Sequence, residues 1–253
     1  MNHTAQVSQQ LKALKLSGIQ DTLDLRISEA QQNKLSYTEF LTALLLDEIE
    51  VRNMNKLKRL LQTARIKNNQ TLETFDFSFN PSINAAYIRE LALCRFIEKG
   101  ENIIFLGATG TGKTHLANAL CHQACRKYFT VLFYSAYDFF KELSSAFVND
   151  KIDKLMKKLL NTDLLVIDDF AFKKITQQQA ECLYSVVDAR YQCRSMILTS
   201  NRAITDWEEI FPDPVMANAI LDRLAHNAHQ IKIIGPSYRK KMAPNMKTLD
   251  IKK

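Results

Sequence analysis

The chain has 253 residues, 46% of them hydrophobic and 24% charged, which suits one mid-sized domain plus a smaller one with a substantial core. With no long apolar stretch and no signal peptide, the composition excludes a membrane-embedded bundle and predicts a protein of the reducing cytoplasm. The formal net charge of +7 favours an anionic partner. Its distribution says more than its size: residues 1–80 carry ten Lys+Arg against nine Asp+Glu, while residues 236–253 carry six against one.

Residues 5–70 read as helices separated by polar punctuation. Ser36 followed by Glu39 forms a capping-box pattern that opens a helix over Phe40, Leu41, Leu44, Leu45 and Ile49. Further along, Leu57, Leu60, Leu61 and Ala64 fall at helical spacing and predict a buried stripe. Arg52, Lys56 and Arg59 stack on another face, in a stretch from Val51 to Thr71 that holds no acidic residue. That ridge is either a solvated face or a contact for phosphates. The segment "TLETFDFSFNPSIN", residues 71–84, reads as a connector with hydrophobic anchors, since Asn80-Pro81 disfavours a continuing helix.

Beyond it, short apolar runs alternate with longer amphipathic ones. Strands are predicted at 102–106, 130–135, 163–168, 195–200 and 229–234. Helices are predicted at 113–127, 137–147, 151–160, 176–192 and 216–226. This alternation predicts a parallel sheet covered on both faces. Five cysteines form no CxxC pair. Cys121, His122 and Cys125 read as buried thiols and a surface imidazole on one helix.

The octet "GATGTGKT", residues 107–114, fits G-x-x-x-x-G-K-[ST] between a predicted strand and a predicted helix, the context in which that pattern cradles phosphates. Gly107, Ala108, Thr109, Gly110, Thr111 and Gly112 turn backbone N–H groups inward, and the helix N-terminus adds partial positive charge. Lys113 is expected at the β- and γ-phosphates and Thr114 on Mg2+. "LLVIDDF", residues 164–170, places Asp168 and Asp169 at the carboxyl end of a buried strand, 55 residues after Lys113 in the case of Asp168. Asp168 is the candidate for holding the metal, and Asp169 for polarising an attacking water. "LTSN" ends at Asn201, which reads as a γ-phosphate sensor or as an Asx-turn cap. Arg223 reads either as a group that reaches a neighbouring subunit's γ-phosphate or as the partner of Asp188 or Asp222. Arg239, with Arg202 as an alternative, is a candidate for sensing nucleotide within its own subunit.

The ordered set GATGTGKT, LLVIDDF, LTSN, ILDRL and IGPSYR resembles the IstB-like ATPases of insertion sequences, relatives of the DnaC helicase loaders in the AAA+ class. The N-terminal "LKLSGIQDTLDLRISEAQQNKLSYTEFLTALLLDEI" is also similar to the helical start of that family, so the likeness spans nearly the whole chain. The resemblance implies an α/β, three-layer P-loop NTPase with a parallel sheet and a reduced lid, preceded by a small helical domain. The expected divisions are 1–70, a connector at 71–84, and an ATPase domain at 85–253. It implies ATP and Mg2+ as ligands, double-stranded DNA and a transposase as partners, and self-association on ATP and DNA. It also carries an arginine-finger role onto Arg223 and a sensor role onto Asn201. Ala171 departs from the family's usual glycine, which predicts a stiffer loop there. Two rival functions share these motifs: a loader of a replicative helicase, and a nucleotide-gated DNA scaffold that scarcely hydrolyses ATP.

Overall fold

A computed structural model describes residues 3–67 and 69–241. The chain divides into two compact units, Met1–Arg59 and Leu60–Lys253. Residues 60–70, grouped with the helical start in the sequence reading, therefore belong to the second unit. Their backbone is tied there: the Lys67 N–H donates to Asn118 Oδ1 at 2.9 Å. The basic tail beyond Lys241 lies outside the described residues, as does most of the region where a reduced lid was expected.

The first unit contains α1 (His3–Ala13), α2 (Ser17–Asn33) and the part of α3 (Tyr37–Ala64) up to Arg59. The capping box forms, with the Glu39 N–H donating to Ser36 Oγ and the Ser36 N–H to Glu39 Oε2. Ile19, Leu23 and Leu44 make a small apolar centre, onto which Leu11, Leu16, Ile27 and Phe40 pack. Polar groups add to it. Glu48, buried on α3, accepts from the Gly18 N–H at 2.8 Å and so caps the positive end of α2. Gly18 is needed for that approach, because a Cβ there would lie 2.7 Å from the carbonyl oxygen of Asp47. Beside it, Asp47 takes a two-pronged contact from Arg26, at 2.9 and 2.7 Å, and a hydrogen bond from Thr22 at 2.6 Å. Arg26 and Thr22 together hold the Asp47 carboxyl down to about 2.

That depression fixes an acid response. The folded pKa lies below the unfolded value of about 3.9, so the contribution is complete above roughly pH 4 and is lost as pH falls through the folded value. Helical circular dichroism followed from neutral pH to pH 2 is expected to show an acid-induced loss that Asp47→Asn flattens. Superimposable acid limbs for the two proteins would rule Asp47 out as its source.

The second unit is a five-stranded parallel sheet of order β2-β3-β4-β1-β5. Its strands are β1 (Asn102–Gly107), β2 (Val131–Ser135), β3 (Leu164–Asp168), β4 (Ser195–Ser200) and β5 (Ala228–Ile233). Before the sheet come α4 (Ala85–Leu91) and α5 (Arg95–Glu98); between the strands run α6 (Lys113–Arg126), α7 (Ala136–Val148), α8 (Ile152–Asn161), α9 (Gln177–Arg190) and α10 (Pro214–His226). A 3-10 helix, Ile204–Ile210, precedes α10, and α11 (Tyr238–Lys241) follows β5. Starts are set by short polar caps: Asn84 for α4, Ser135 for α7, a Thr176–Gln179 box for α9, and Asp213 with Pro214 for α10.

The central strands are buried on both faces, and the period-2 alternation of their side chains sorts them. Ile104, Leu132, Leu165, Ile167, Met196 and Leu198 join one core with residues of α7, α8, α9 and α10. The intervening residues, Val166, Asp168 and Thr199 among them, point the other way, and α6 packs against β1 to β4. Hence Thr114 on α6, Asp168 on β3 and Thr199 on β4 converge at the carboxyl edge. The stripe on α3 is only partly realised, with Ala64 buried and Leu57, Leu60 and Leu61 half-buried.

Candidate functional site: a phosphate loop and a walled cavity

The loop between β1 and α6 bends through backbone that side chains disfavour. Gly110 and Gly112 have φ of 85° and 103°. Gly112 also lets Phe75 of the 71–84 segment close on the loop, since a Cβ there would meet the Phe75 ring at 2.9 Å. Thr111 Oγ1 donates to the Ala108 carbonyl at 2.8 Å. The Lys113 ammonium donates to the carbonyls of Gly107 and Ala108 at 2.8 and 2.9 Å, lying beneath the loop. Burial pushes its pKa down, while Asp169 and Asp168 oppose that shift.

At the acidic end, Thr114 Oγ1 donates to Asp168 at 2.9 Å, and Thr199 Oγ1 lies 2.5 Å from the same carboxylate oxygen. Burial raises the Asp168 pKa against the pull of these hydroxyls. Asp169, by contrast, turns away at φ 57°, its N–H resting on Thr199 Oγ1 at 2.9 Å. The two neighbouring carboxylates therefore occupy different settings: one buried between two threonines, the other on the wall of a cavity. Thr199 carries no signal of its own in the sequence, because a buried threonine gives none until the neighbouring strand is known.

Ala171 sits in the left-handed region at φ 64°, in the same turn as Asp169. Its position explains why glycine suits this place, since an L side chain there costs about 1–2 kcal/mol. Ala171→Gly is expected to be neutral or to stabilise by up to about 1 kcal/mol, because relief of the strain is partly offset by the greater chain entropy of glycine. A chemical-denaturation midpoint that fell clearly would contradict this.

A cavity of about 460 Å3 is lined by Thr109 through Thr114, Asp169, Asn201 and Arg239. The structure thus gathers most of the sequence-picked residues on one surface. The rest of its lining includes Phe75, Phe79, His115 and Tyr238, which the sequence does not single out, and Tyr238 reaches the loop itself, its N–H donating to the Gly110 carbonyl at 2.9 Å. The rings meet edge to face, Phe75 with His115 at 5.1 Å and Phe79 with Tyr238 at 5.0 Å between centroids. The 71–84 segment is therefore a wall of the site as well as a connector. Asp168 lies on the other side of Thr114, at a second cavity of about 620 Å3 shared with Arg65, Lys67 and Glu142.

Arg223 lines neither cavity. It is paired with Asp188 at 3.0 Å, with its guanidinium 5.3 Å from the Tyr184 ring centroid. Arg202 pairs with Glu209 at 3.2 Å. His122, expected at the surface, is buried, with Nε2 at 3.0 Å from the Lys67 carbonyl. The chain at Lys67 runs over α6 and covers it.

The donor set suits a magnesium triphosphate. The helix start with its lysine could meet the phosphates, and a threonine hydroxyl beside a buried carboxylate offers the hard oxygen ligands that Mg2+ prefers. The aromatic side chains add apolar surface to the cavity beside the loop.

A parallel sheet of this strand order, with a phosphate loop after β1 and an acidic pair closing β3, defines a P-loop fold of the AAA+ class. The DnaC helicase loader superimposes with a TM-score of 0.58 at 25% identity, covering 66% of this chain and 97% of the loader. AMPPCP-bound DnaA from Aquifex aeolicus shares the fold at a TM-score of 0.57 and 22% identity, over 67% of this chain and 51% of DnaA. Within that class the chain belongs to the IstB-like ATP binding protein family, whose profile matches residues 9–245. A protein described as an ATP-binding protein in an insertion sequence of Mycobacterium tuberculosis is 38% identical over 239 residues, 94% of this chain and 95% of that one. The corresponding protein of insertion sequence IS21 from Pseudomonas aeruginosa is 36% identical over 231 residues, 91% of this chain and 87% of its own length. Among the described residues no helix is long and apolar enough to cross a membrane.

Proposed function

We propose that this protein is an ATP-hydrolysing, DNA-binding assembly factor that serves a transposase. The observation that carries hydrolysis is the split between the two aspartates. Asp168, held by Thr114 and Thr199, is suited to anchor a metal with Thr114. Asp169, exposed on the triphosphate cavity, is free to accept a proton from an attacking water, and Asn201 on the same wall can orient that water. Mg2+, once bound, would neutralise charge on the phosphate oxygens. Arg239 lies on the wall as an additional cation. Arg223 is remote from its own cavity, so its role in turnover requires a second copy of the chain, to which it would be delivered once its contact with Asp188 opens.

Insertion-sequence relatives at 38% and 36% identity support a transposase as client. The likeness to the DnaC loader, at 25%, keeps helicase loading as the second reading. For DNA, the ridge of Arg52, Lys56 and Arg59 competes with α8. Arg52 is already committed to Glu48 at 2.7 Å. On α8, Lys154, Lys157 and Lys158 are exposed and line a shallow groove that contains no carboxylate. We therefore place the phosphate contact on α8.

Phosphate release with and without duplex DNA tests this reading. Native protein is expected to turn over ATP faster with DNA, Asp169→Asn to lose at least about a hundredfold in rate, and a mixture of Asp169→Asn with Arg223→Ala to recover activity in part. Neutralising the three lysines of α8 is expected to reduce the salt slope of DNA binding by about 2–3. Equal, negligible turnover of native protein and Asp169→Asn would favour a non-hydrolysing scaffold. A stoichiometric complex with a hexameric helicase would favour the loader.

A further inference from the structure

Helix α6 carries a buried polar stripe. Thr114, Asn118 and His122 follow one another at intervals of four residues and so share one face of the helix. Asn118 and His122 are both buried, Asn118 completely. Polar side chains are costly to bury unless they are paired, so what this stripe holds is informative. Asn118 Nδ2 donates to the Thr114 carbonyl at 2.8 Å, while Asn118 Oδ1 accepts from the Lys67 N–H at 2.9 Å. His122 Nε2 lies 3.0 Å from the Lys67 carbonyl. Both backbone polar groups of residue 67 are thus fastened to the helix that begins with Lys113 and Thr114.

The side chain presented by this clamp lines the cavity of about 620 Å3 beside Thr114, together with Asp168, Arg65, Lys141 and Glu142. Two of that cavity's three cations are engaged. Arg65 pairs with Glu142 at 2.9 Å and lies 5.0 Å from the Tyr134 ring centroid, and Lys141 lies 5.9 Å from the ring centroid of Tyr137. Lys67 is exposed and has no ion-pair partner among the described residues. Its charge is nonetheless felt at Asp168, whose carboxyl it pulls down against the effect of burial.

We propose that Lys67 supplies a cation to the terminal phosphate of the bound triphosphate, from within the same subunit. A metal held by Thr114 and Asp168 bridges β- and γ-phosphate oxygens, so the terminal phosphate comes to rest beside that pair, where the two cavities adjoin. Lys67 is the unengaged cation on that side. An ammonium on a flexible four-carbon stem adapts to oxygens that arrive beside it, and the clamped backbone limits the arc it sweeps. A nucleoside diphosphate lacks the group that Lys67 meets. The residue therefore separates the nucleotide before hydrolysis from the nucleotide after it, a distinction independent of Lys113, Arg223 and Arg239.

This assignment rests on the reading of the phosphate loop as a triphosphate site, and the experiment separates the two. Calorimetric titration of the full chain, with Mg2+ present, compares a non-hydrolysable ATP analogue with ADP. Lys67→Met is expected to weaken the analogue about tenfold and to leave ADP within about twofold of native. Lys67→Arg, which keeps the charge, is expected to recover part of the loss. Because the clamp uses only the backbone of residue 67, and the side chain is exposed, Lys67→Met keeps the segment in place; an unchanged melting temperature checks this. Native affinity for the analogue in Lys67→Met, or equal weakening of both nucleotides, would overturn the assignment while leaving the triphosphate site standing. Equal weakening would instead mark Lys67 as a counter-charge for Asp168 alone. Failure of the native protein to bind either nucleotide would overturn the site and the assignment together.

Discussion

Replacing Lys113 with alanine is expected to reduce ATP affinity by about two orders of magnitude, matching the upper range for a hydrogen bond to a charged group. The ammonium lies beneath the phosphate loop, donating to the Gly107 and Ala108 carbonyls. Burial lowers its pKa, and Asp169 and Asp168 act in the opposite direction; an ammonium in a partly desolvated place acts strongly on an anion. Removing it leaves two carbonyls without a donor and the phosphates without their point charge. Arginine is not expected to substitute, since its planar fork is too wide for the space occupied by a compact ammonium. Titration with a fluorescent ATP analogue, with thermal melting as a control for folding, measures both consequences. Native-like affinity in a folded Lys113→Ala protein would remove the lysine from the binding reaction.

The second large effect concerns Arg190, on α9. Its guanidinium is 1% exposed and has no carboxylate partner among the described residues. Instead it donates to four backbone carbonyls: Leu159 at 2.6 Å, Thr162 at 2.7 Å, Asp163 at 3.2 Å and Ser195 at 2.7 Å. Burial pushes its pKa down to about 9, so at neutral pH the group remains charged. The acceptors explain how that charge is tolerated. The carbonyls at the end of α8 have no intrahelical N–H to meet, and the last turn of a helix is electronegative. Arg190 thus fastens the end of α8 to the start of β3 and β4. Arg190→Met is expected to cost about 3–5 kcal/mol, the range for breaking a buried ionic arrangement by removing one side. In a chain of this size that corresponds to a fall of roughly 10 °C in melting temperature. Lysine should rescue little, having a single nitrogen to spread among four acceptors. A melting temperature within two or three degrees of native in Arg190→Met would show that these carbonyls are satisfied in another way. The same variant bears on DNA binding, because α8 carries Lys154, Lys157 and Lys158, and an unfastened helix would present them less rigidly.

Much of the second unit was legible before any coordinates. Each of its five strands was read within a residue or so at either end, because fully buried parallel strands are short apolar runs and the helices between them repeat at a different period. The phosphate loop was legible for a related reason: its chemistry needs glycine at positive φ and lysine at the following helix start, and both requirements are local in the chain. The pair Asp168-Asp169 was equally visible. Their difference was not, since it depends on Thr199 supplying hydroxyl contact to one carboxylate and backbone support to the other from an adjacent strand.

The amino-acid order alone therefore determined the sheet, the loop that grips phosphate, and the family, all of which depend on patterns spanning a few consecutive residues. Tertiary structure alone decided that the 71–84 segment walls the cavity, that His122 is covered, and that Arg223 rests on Asp188 away from its own phosphate loop. The physical reason is the same in each case. Burial and pairing are properties of what a side chain meets, and residues far apart in sequence meet only when the chain has folded.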